Sequence, residues 1–282
     1  MKLAPRPLLI LHADTGFQQR VREAAGADFR DRVIDDWEAL HQAVASAPPA
    51  SVVIVDPFEA DGSLSPSLRE LLADFPSTSL IAAFEVTPDR GDAMRTLGSW
   101  NVVDVIALGH DDTPAAIGLR LRAARGRQLQ RRVGNVLPPE TPGRARALLE
   151  AAAAIVSAGG QGIDLAESLN LSRRTLLRWS ERAELPPPRR TLAWMRILLA
   201  ASLLDDAGRT VLGVARACGY SSDSGLRRVL QRFLGTSASE LRNGRAFETA
   251  AAAFLAELDF SGTGRDAPQS LALGSEGAAA LA

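Results

Sequence analysis

The sequence is poor in the residues that form disulfides and metal sites. Its 282 residues include one Cys and three His. A single Cys excludes an internal disulfide and a cysteine-rich metal site, and it fits a reducing cytoplasm. His12, His41 and His110 lie too far apart in sequence to indicate a shared ligand set, so we expect exposed or loop histidines, no metal and no other cofactor.

Long apolar runs and a strong overall charge are also missing. No uninterrupted apolar segment reaches the ~18 residues that a membrane span requires, so we expect a cytoplasmic protein without a membrane partner. The first residues lead into a short apolar strand instead of a secretion signal. The length suits two domains that can each bury a core.

The net charge of −1 conceals an uneven distribution along the chain. Residues 1–119 contain 9 Lys+Arg and 18 Asp+Glu, whereas residues 120–139 contain six Arg and no acid. Residues 140–245 contain 16 Arg and 10 acids. A basic surface can be merely a solvated face, but a basic half with ordered rows of Arg indicates contact with nucleic acid.

One short pattern occurs twice in the basic half. Each copy has a Ser, a Leu four residues later, and Arg six and ten residues later: Ser172, Leu176, Arg178 and Arg182, then Ser222, Leu226, Arg228 and Arg232. Each Ser can cap a helix because its hydroxyl accepts an otherwise unpaired N–H of the first turn. The i, i+4 relation then gives each helix an apolar face and an Arg-rich face.

A shorter helical stretch and a tight turn precede each of these helices. The first stretch is 163–169 with a turn at Asn170, and the second is 211–218 with a turn at Gly219. A small residue (Ala166, Ala215) allows close helix crossing, and Asn or Gly supplies the left-handed residue that ends a helix. The spacing predicts two helix-turn-helix motifs, in which the second helix can enter a major groove.

An apolar helix over 191–204 separates the two motifs. It is apolar nearly all round, as a buried connecting helix should be. At about 1.5 Å per residue it spans roughly 20 Å. With the helices that it joins, it can place two reading helices roughly 34 Å apart, one turn of DNA. We therefore expect an all-α domain whose two helix-turn-helix motifs read one duplex face.

Residues 144–242 resemble the AraC/XylS family of bacterial transcription regulators. The family's second-half signature is similar to Val214-Ala215, Gly219-Tyr220, Ser222, Arg228, Gly235 and Arg242, and its linker helix to Arg196-Ile197, Ala200 and Leu203-Leu204. The departures are Leu226 and Leu230 where Phe is usual, Ser180 at another aromatic position, and Gln231 for a common Lys. The resemblance implies promoter or operator DNA and RNA polymerase as partners, and no enzymatic activity.

The resemblance also selects candidate DNA-binding residues. Arg178 and Arg228 match family positions that commonly meet bases or phosphates, and Arg174, Ser224 and Arg227 lie beside them on the groove-facing side. The complete set of candidates is Ser172, Arg173, Arg174, Thr175, Arg178, Arg182, Ser222, Asp223, Ser224, Arg227, Arg228 and Arg232. An enzymatic alternative, a DNA-repair alkyl transferase fused to such a domain, needs a reactive thiol, whereas we expect Cys218 to pack in the core.

The acidic half alternates between strand-like and helix-like segments. Apolar runs occur at 8–11, 32–34, 52–55, 80–84 and 102–107, with helical stretches near 16–25, 37–46, 64–74, 89–98 and 114–132. Five βα units with short apolar strands predict a parallel sheet covered on both faces, an α/β flavodoxin-like (βα)5 domain. The order and sizes resemble a response-regulator receiver domain, in which the last helix could serve homodimerisation.

Asp56 follows the third strand, where receivers carry the phosphorylated Asp. Most of the other residues that phosphorylation of a receiver requires are missing. The nearest acid after the first strand is Asp14, and no Lys follows the fifth strand. We therefore expect a degenerate receiver-like domain that senses something other than phosphate, with Asp56, Asp14 and His12, joined by His110, around a ligand pocket at the strand ends. The alternative is a two-component response regulator phosphorylated at Asp56.

The composition places the domain boundaries. We assign residues 1–132 to the receiver-like domain and the Pro- and Gly-rich segment 133–143 to a linker. Residues 144–245 form the DNA-binding domain of the AraC type. Residues 246–282 begin with an amphipathic helix and end in a Gly- and Ala-rich tail that we expect to be disordered.

Overall fold

The first half of the chain forms a parallel sheet. The computed structural model describes residues 5–242 and 245–258. Five strands pair in the order β2-β1-β3-β4-β5, which is compatible with the flavodoxin-like fold and confirms the predicted parallel sheet. The strands are β1 (Arg6–Leu11), β2 (Phe29–Val33), β3 (Val52–Val55), β4 (Ser79–Phe84) and β5 (Asp104–Ala107).

Helices cover both faces of this sheet because alternate side chains of each strand point to opposite sides. They are α1 (Thr15–Ala25), α2 (Trp37–Ser46), α3 (Pro66–Asp74), α4 (Gly91–Ser99) and α5 (Pro114–Ala124). Ile10 of β1 belongs to a buried cluster with Phe17 of α1 and Leu121 of α5. Its neighbour Leu9 belongs to a second cluster, with Leu40 of α2 on the other face. The two clusters make a three-layered α/β domain.

The second half is helical and is built around one buried helix. The helices are α6 (Arg127–Val136), α7 (Gly143–Ser157), α8 (Gly162–Ser168), α9 (Arg173–Arg182), α10 (Pro188–Leu204), α11 (Val211–Ala217), α12 (Asp223–Leu234), α13 (Ala238–Leu241) and α14 (Ala246–Leu258). Twelve of the 17 residues of α10 are buried, so this helix is the centre of the helical core. It begins at Pro188, three residues before the predicted start, because proline is compatible with the first helical turn.

The helix predicted at 114–132 is two helices. The first helix ends before Arg125-Gly126 and a second begins after it, and Gly126 adopts a left-handed φ of 76°. Leu129 and Val133 of α6 are buried in the helical core, which explains the change of direction. The segment 133–143, which we predicted to be a linker, therefore begins with the last turn of α6. Leu137, just beyond α6, is also buried.

The predicted C-terminal amphipathic helix is α14. Phe247 and Phe254 are buried, and the Phe254 ring lies 5.7 Å from the Trp194 ring of α10. Arg190 of α10 donates to both carboxylate oxygens of Glu257, at 2.7 and 2.9 Å. α14 is therefore packed on the central helix. The tail that we expected to be disordered, residues 259–282, lies outside the described residues.

Three hydrogen bonds join the α/β half to the helical half. Arg127 of α6 donates to Asp104 of β5 at 2.5 Å, and Gln128 donates to the Thr78 carbonyl at 3.0 Å. The loop between α10 and α11 also reaches the α/β domain, because the Gly208 N–H donates to the Asp74 carbonyl at 3.2 Å.

Within the described ranges, no helix is long and apolar enough to cross a membrane.

Candidate nucleic-acid interface

The first helix pair, α8 and α9, is closed by a tight backbone turn. The Leu171 N–H donates to the Ala166 carbonyl at 2.9 Å, and Asn170 adopts a left-handed φ of 52°. Ala166 is almost completely buried, as the predicted close helix crossing requires. Ser172 accepts from the Thr175 N–H at 3.1 Å, which confirms the predicted cap of α9.

The second pair, α11 and α12, has the same closure 49 residues later. The Tyr220 N–H donates to the Ala215 carbonyl at 2.9 Å, and Gly219 has a φ of 84°. Ser222 caps α12 by accepting from the Gly225 N–H at 3.4 Å, and Thr210 caps α11 by accepting from the Gly213 N–H at 3.0 Å. The two pairs thus share one local geometry, with one more residue in the second turn.

Helix α9 presents its arginines to solvent. Leu176 and Ser180 are buried on its inner side. Arg173, Arg174, Arg178 and Arg182 are exposed, and none of them forms an ion pair with a carboxylate in the described part of the chain. Their positive charge is therefore available to an outside anion. At the side of the helix, the Arg144 guanidinium lies 5.1 Å from the Trp179 ring centre.

Helix α12 repeats this division with one difference. Leu226 and Leu230 are fully buried, whereas Ser224, Arg227, Arg228 and Arg232 are exposed. Arg227 donates to the Asp223 carboxylate at 2.9 Å across one helical turn. Two of the predicted site residues thus neutralise each other. Arg228 and Arg232 have no such partner among the residues described.

Three of the four positions that depart from the AraC/XylS pattern that the sequence resembles are buried beneath the two exposed faces, whereas Gln231 is exposed. Ser180, at a position where an aromatic is usual, is buried and donates to the Leu176 carbonyl at 3.2 Å. Leu226 and Leu230 lie in the core that also contains Trp194. The Trp194 and Phe233 rings meet edge to face at 4.9 Å, which ties α12 to the central helix. The smaller side chains are therefore accommodated in a closed core.

Residues 165–244 match the family model of a helix-turn-helix domain. The match begins in α8 and extends beyond α13, so it includes every residue of α9 and α12. It supports an AraC-type DNA-binding domain in this part of the chain. Neither a curated protein nor a solved structure matches the chain.

The residues predicted to surround a pocket in the α/β domain lie in the segments that follow β1, β3 and β5. Asp14 caps α1 by accepting from the Phe17 N–H at 3.0 Å, which gives this carboxylate a structural role. Asp56 is half-buried at the end of β3 and accepts from the Phe58 N–H at 3.0 Å. His110 is exposed, and no hydrogen bond joins it to His12 or Asp56 in the described residues. No group of three metal-binding side chains occurs in the described ranges.

His12 lies in the loop after β1, in line with the expectation of a loop histidine, but its side chain is buried. Its Nδ1 accepts from the Asp14 N–H at 3.1 Å, and within the described structure its buried Nε2 has no hydrogen-bond partner. Burial lowers the pKa of His12 below its usual 6.5, while the charge of Asp56 opposes this shift. The ring is therefore neutral at pH 7 and packs 4.6 Å from the Phe17 ring. Sequence alone gave no sign of this burial beyond the position of His12 after an apolar strand.

Cys218 does not have the properties of a nucleophile. Burial raises the pKa of its thiol to about 12. A thiol needs a lowered pKa to react at neutral pH because the thiolate is the nucleophile. The side chain also packs against the helical core. These properties disfavour the alkyl-transferase alternative.

Proposed function

We propose that the protein is a sequence-specific DNA-binding transcription regulator of the AraC type, with two reading helices, α9 and α12. The observation that carries the proposal is the repeated presentation of unpaired arginines on the exposed sides of two capped helices. Guanidinium groups without internal carboxylate partners can pair with phosphates or with guanine edges. In the described residues, these arginines form no ion pairs that would stabilise the fold.

Arg178 and Arg228 are the proposed base-reading residues. A guanidinium can donate two parallel hydrogen bonds to guanine, which discriminates against other bases by about 1–3 kcal/mol. Arg173, Arg182 and Arg232 would hold phosphates and fix the register. The Ser172 and Ser222 hydroxyls cap their helices, so they help to set the angle at which each helix enters its groove.

The central helix α10 would set the spacing of the two reading helices. Its 17 residues span about 25 Å at 1.5 Å per residue. With the widths of α9 and α12 added, a spacing near 34 Å would place both helices in successive major grooves on one face of the duplex. We propose that a single chain contacts DNA in this way and recruits RNA polymerase from the bound position.

The α/β domain is the proposed sensing unit, and it is degenerate in comparison with a receiver. We propose that it works without phosphorylation, because Asp14 caps a helix and the described residues contain no cluster of three or more metal-binding side chains around Asp56. We place its junction with the helical domain at Arg125-Gly126, where α6 joins the helical core. Treatment with acetyl phosphate tests whether the α/β domain is phosphorylated. Stoichiometric modification that Asp56→Ala abolishes would replace our proposal by a phosphorylated response regulator.

Two experiments test sequence-specific DNA binding. The full-length protein first selects duplexes from a random pool, and the enriched site is then footprinted. We expect two protected major-groove segments about one turn apart. The double variant Arg178→Ala/Arg228→Ala should lose protection while its circular dichroism remains native. A matched control is Arg30→Ala/Arg69→Ala, which removes two exposed arginines from the α/β domain and should leave the footprint unchanged. A footprint that survives in the first variant would refute the assignment.

A further inference from the structure

A cavity of about 330 Å³ lies between the α/β domain and the second helix pair. Arg6 at the start of β1 and Pro48 line it from the α/β side. The connection between α7 and α8, the middle of α10 and the end of α11 line it from the helical side. This volume is at the lower end of the range for small-molecule sites. The cavity therefore has room for a small ligand that touches both halves.

Three arginines from three different elements face this cavity. They are Arg6, Arg196 of α10 and Arg216 of α11, and none of the cavity-lining residues is an Asp or Glu. None of the three forms an ion pair among the residues that the structure describes. Arg196 makes one long hydrogen bond, at 3.5 Å, to the Gly160 carbonyl. The cavity thus concentrates positive charge without an internal counterion.

The Arg6 side chain lines the cavity with an incompletely satisfied guanidinium. Its buried Nε has no hydrogen-bond acceptor in the described structure. Burial and the charge of Arg125 lower the pKa of Arg6, and burial also lowers the pKa of Arg196. Partly desolvated cations without a counterion are unfavourable, so the arrangement is incomplete as it stands. An anion in the cavity would supply the missing acceptors.

The backbone on the opposite wall is shaped to admit Arg6. Gly159 has a φ of 77°, and a Cβ at this position would lie 2.3 Å from Nη2 of Arg6. A glycine therefore leaves the space that the guanidinium fills. Tyr220 also lines the cavity, and its phenol is protonated at neutral pH and can donate a hydrogen bond.

We propose that this cavity is a binding site for a small organic anion that carries phosphate or carboxylate groups. Arg6, Arg196 and Arg216 hold its charge, and Tyr220 donates a hydrogen bond to it. Val156 and Leu199 offer an apolar wall for the remainder of the ligand. Because Arg6 belongs to β1 and Arg216 to α11, the bound anion bridges the α/β domain to the second helix pair. This inference goes beyond DNA reading and does not depend on it.

Calorimetric titration of the full-length, DNA-free protein tests the proposal, with inorganic pyrophosphate and citrate as separate probes at constant ionic strength. We expect saturable binding of at least one probe at one site per chain. The double variant Arg6→Gln/Arg216→Gln should weaken this binding by at least tenfold, whereas Arg30→Gln/Arg69→Gln, with the same change in charge, should not. The proposal is wrong if neither probe binds, or if both double variants bind as the wild type does.

Two further measurements separate ligand binding from folding and from DNA contact. Arg216→Gln alone alters an exposed side chain with no described partner, so it should fold normally and still weaken probe binding. The probe should raise the Tm of the wild type and fail to raise that of Arg6→Gln/Arg216→Gln. Without probe, Arg6→Gln should bind random-sequence DNA as tightly as the wild type. A loss of DNA affinity in Arg6→Gln would assign these arginines to the DNA backbone and overturn the proposal.

Discussion

Arg209 donates to the Asp206 carboxylate at 2.9 Å, and both side chains are buried where the two halves of the protein meet. Arg209 also donates to the carbonyls of Ala45 and Ala47, at 3.1 and 2.9 Å. Asp206 accepts from both the N–H and the hydroxyl of Ser77. The loop that leads into α11 is therefore fixed to the α/β domain. The second helix pair can move relative to that domain only if these bonds break.

Removal of Arg209 should strongly destabilise the protein. Arg209→Met leaves the buried Asp206 charge without its ion-pair partner, which typically costs about 3–5 kcal/mol of the free energy of unfolding. Arg209→Met/Asp206→Asn should recover at least half of this loss, because Asn has no charge and can still accept from Ser77. Urea unfolding of the full-length variants measures both changes.

The exposed pair Arg227–Asp223 provides the control for this experiment. Arg227→Met should change the free energy of unfolding by less than about 1 kcal/mol, as is usual for surface ion pairs. If Arg209→Met were as mild as Arg227→Met, the buried pair would not be what fixes the α11 loop.

Gly208 is expected to tolerate no side chain. A Cβ at this position would lie 2.3 Å from the Phe75 ring, which is fully buried and has no room to move aside. Gly208→Ala should therefore lower the free energy of unfolding by roughly 1–3 kcal/mol. Gly98→Ala is the matched control, because a Cβ there meets nothing within 4 Å and alanine favours the helix. Thermal unfolding should show a lower Tm for the first variant and an unchanged or higher Tm for the second.

The sequence predicted elements whose signal is local. The apolar run Val52–Val55 is a strand in the structure with the predicted bounds, since four consecutive apolar residues suit a strand buried on both faces. The caps at Ser172 and Ser222 were equally predictable, because a capping hydroxyl acts within its own first turn. The exposed and buried sides of α9 and α12 followed from helical periodicity.

Features that depend on distant residues could not be predicted in this way. The helical pattern continues through Gly126, and only the packing of Leu129 and Val133 on α7 shows why the helix ends there. The burial of Arg209 depends on the carbonyls of Ala45 and Ala47, more than 160 residues earlier. The Arg6 cavity likewise needs the two halves to be in place. The sequence around Arg209 and around Arg6 contains no pattern that predicts these contacts.

The buried His12 should make stability depend on pH. Its pKa is lowered in the folded protein, so below pH 6.5 the unfolded chain takes up a proton that the folded protein excludes. Stability should therefore be fully present above pH 6.5 and should decline as the pH falls below it. His12→Asn keeps an acceptor for the Asp14 N–H and removes the titrating ring. Its Tm should fall less than that of the wild type between pH 7.5 and 5.5, and an identical slope would show that His12 is not responsible.

Asp223 should limit the affinity of α12 for DNA. Its carboxylate holds Arg227 at 2.9 Å and adds a negative charge to the first turn of the proposed reading helix. Asp223→Asn should release Arg227 and tighten binding to random-sequence duplex. The slope of log K against log salt concentration should become steeper by about 0.9 for each added phosphate contact. Fluorescence anisotropy over a series of salt concentrations measures both quantities. Asp36→Asn is the control, because it makes the same charge change on the α/β domain and preserves the cap of α2. Equal gains in both variants would point to net charge alone, and unchanged or weaker binding by Asp223→Asn would contradict the prediction.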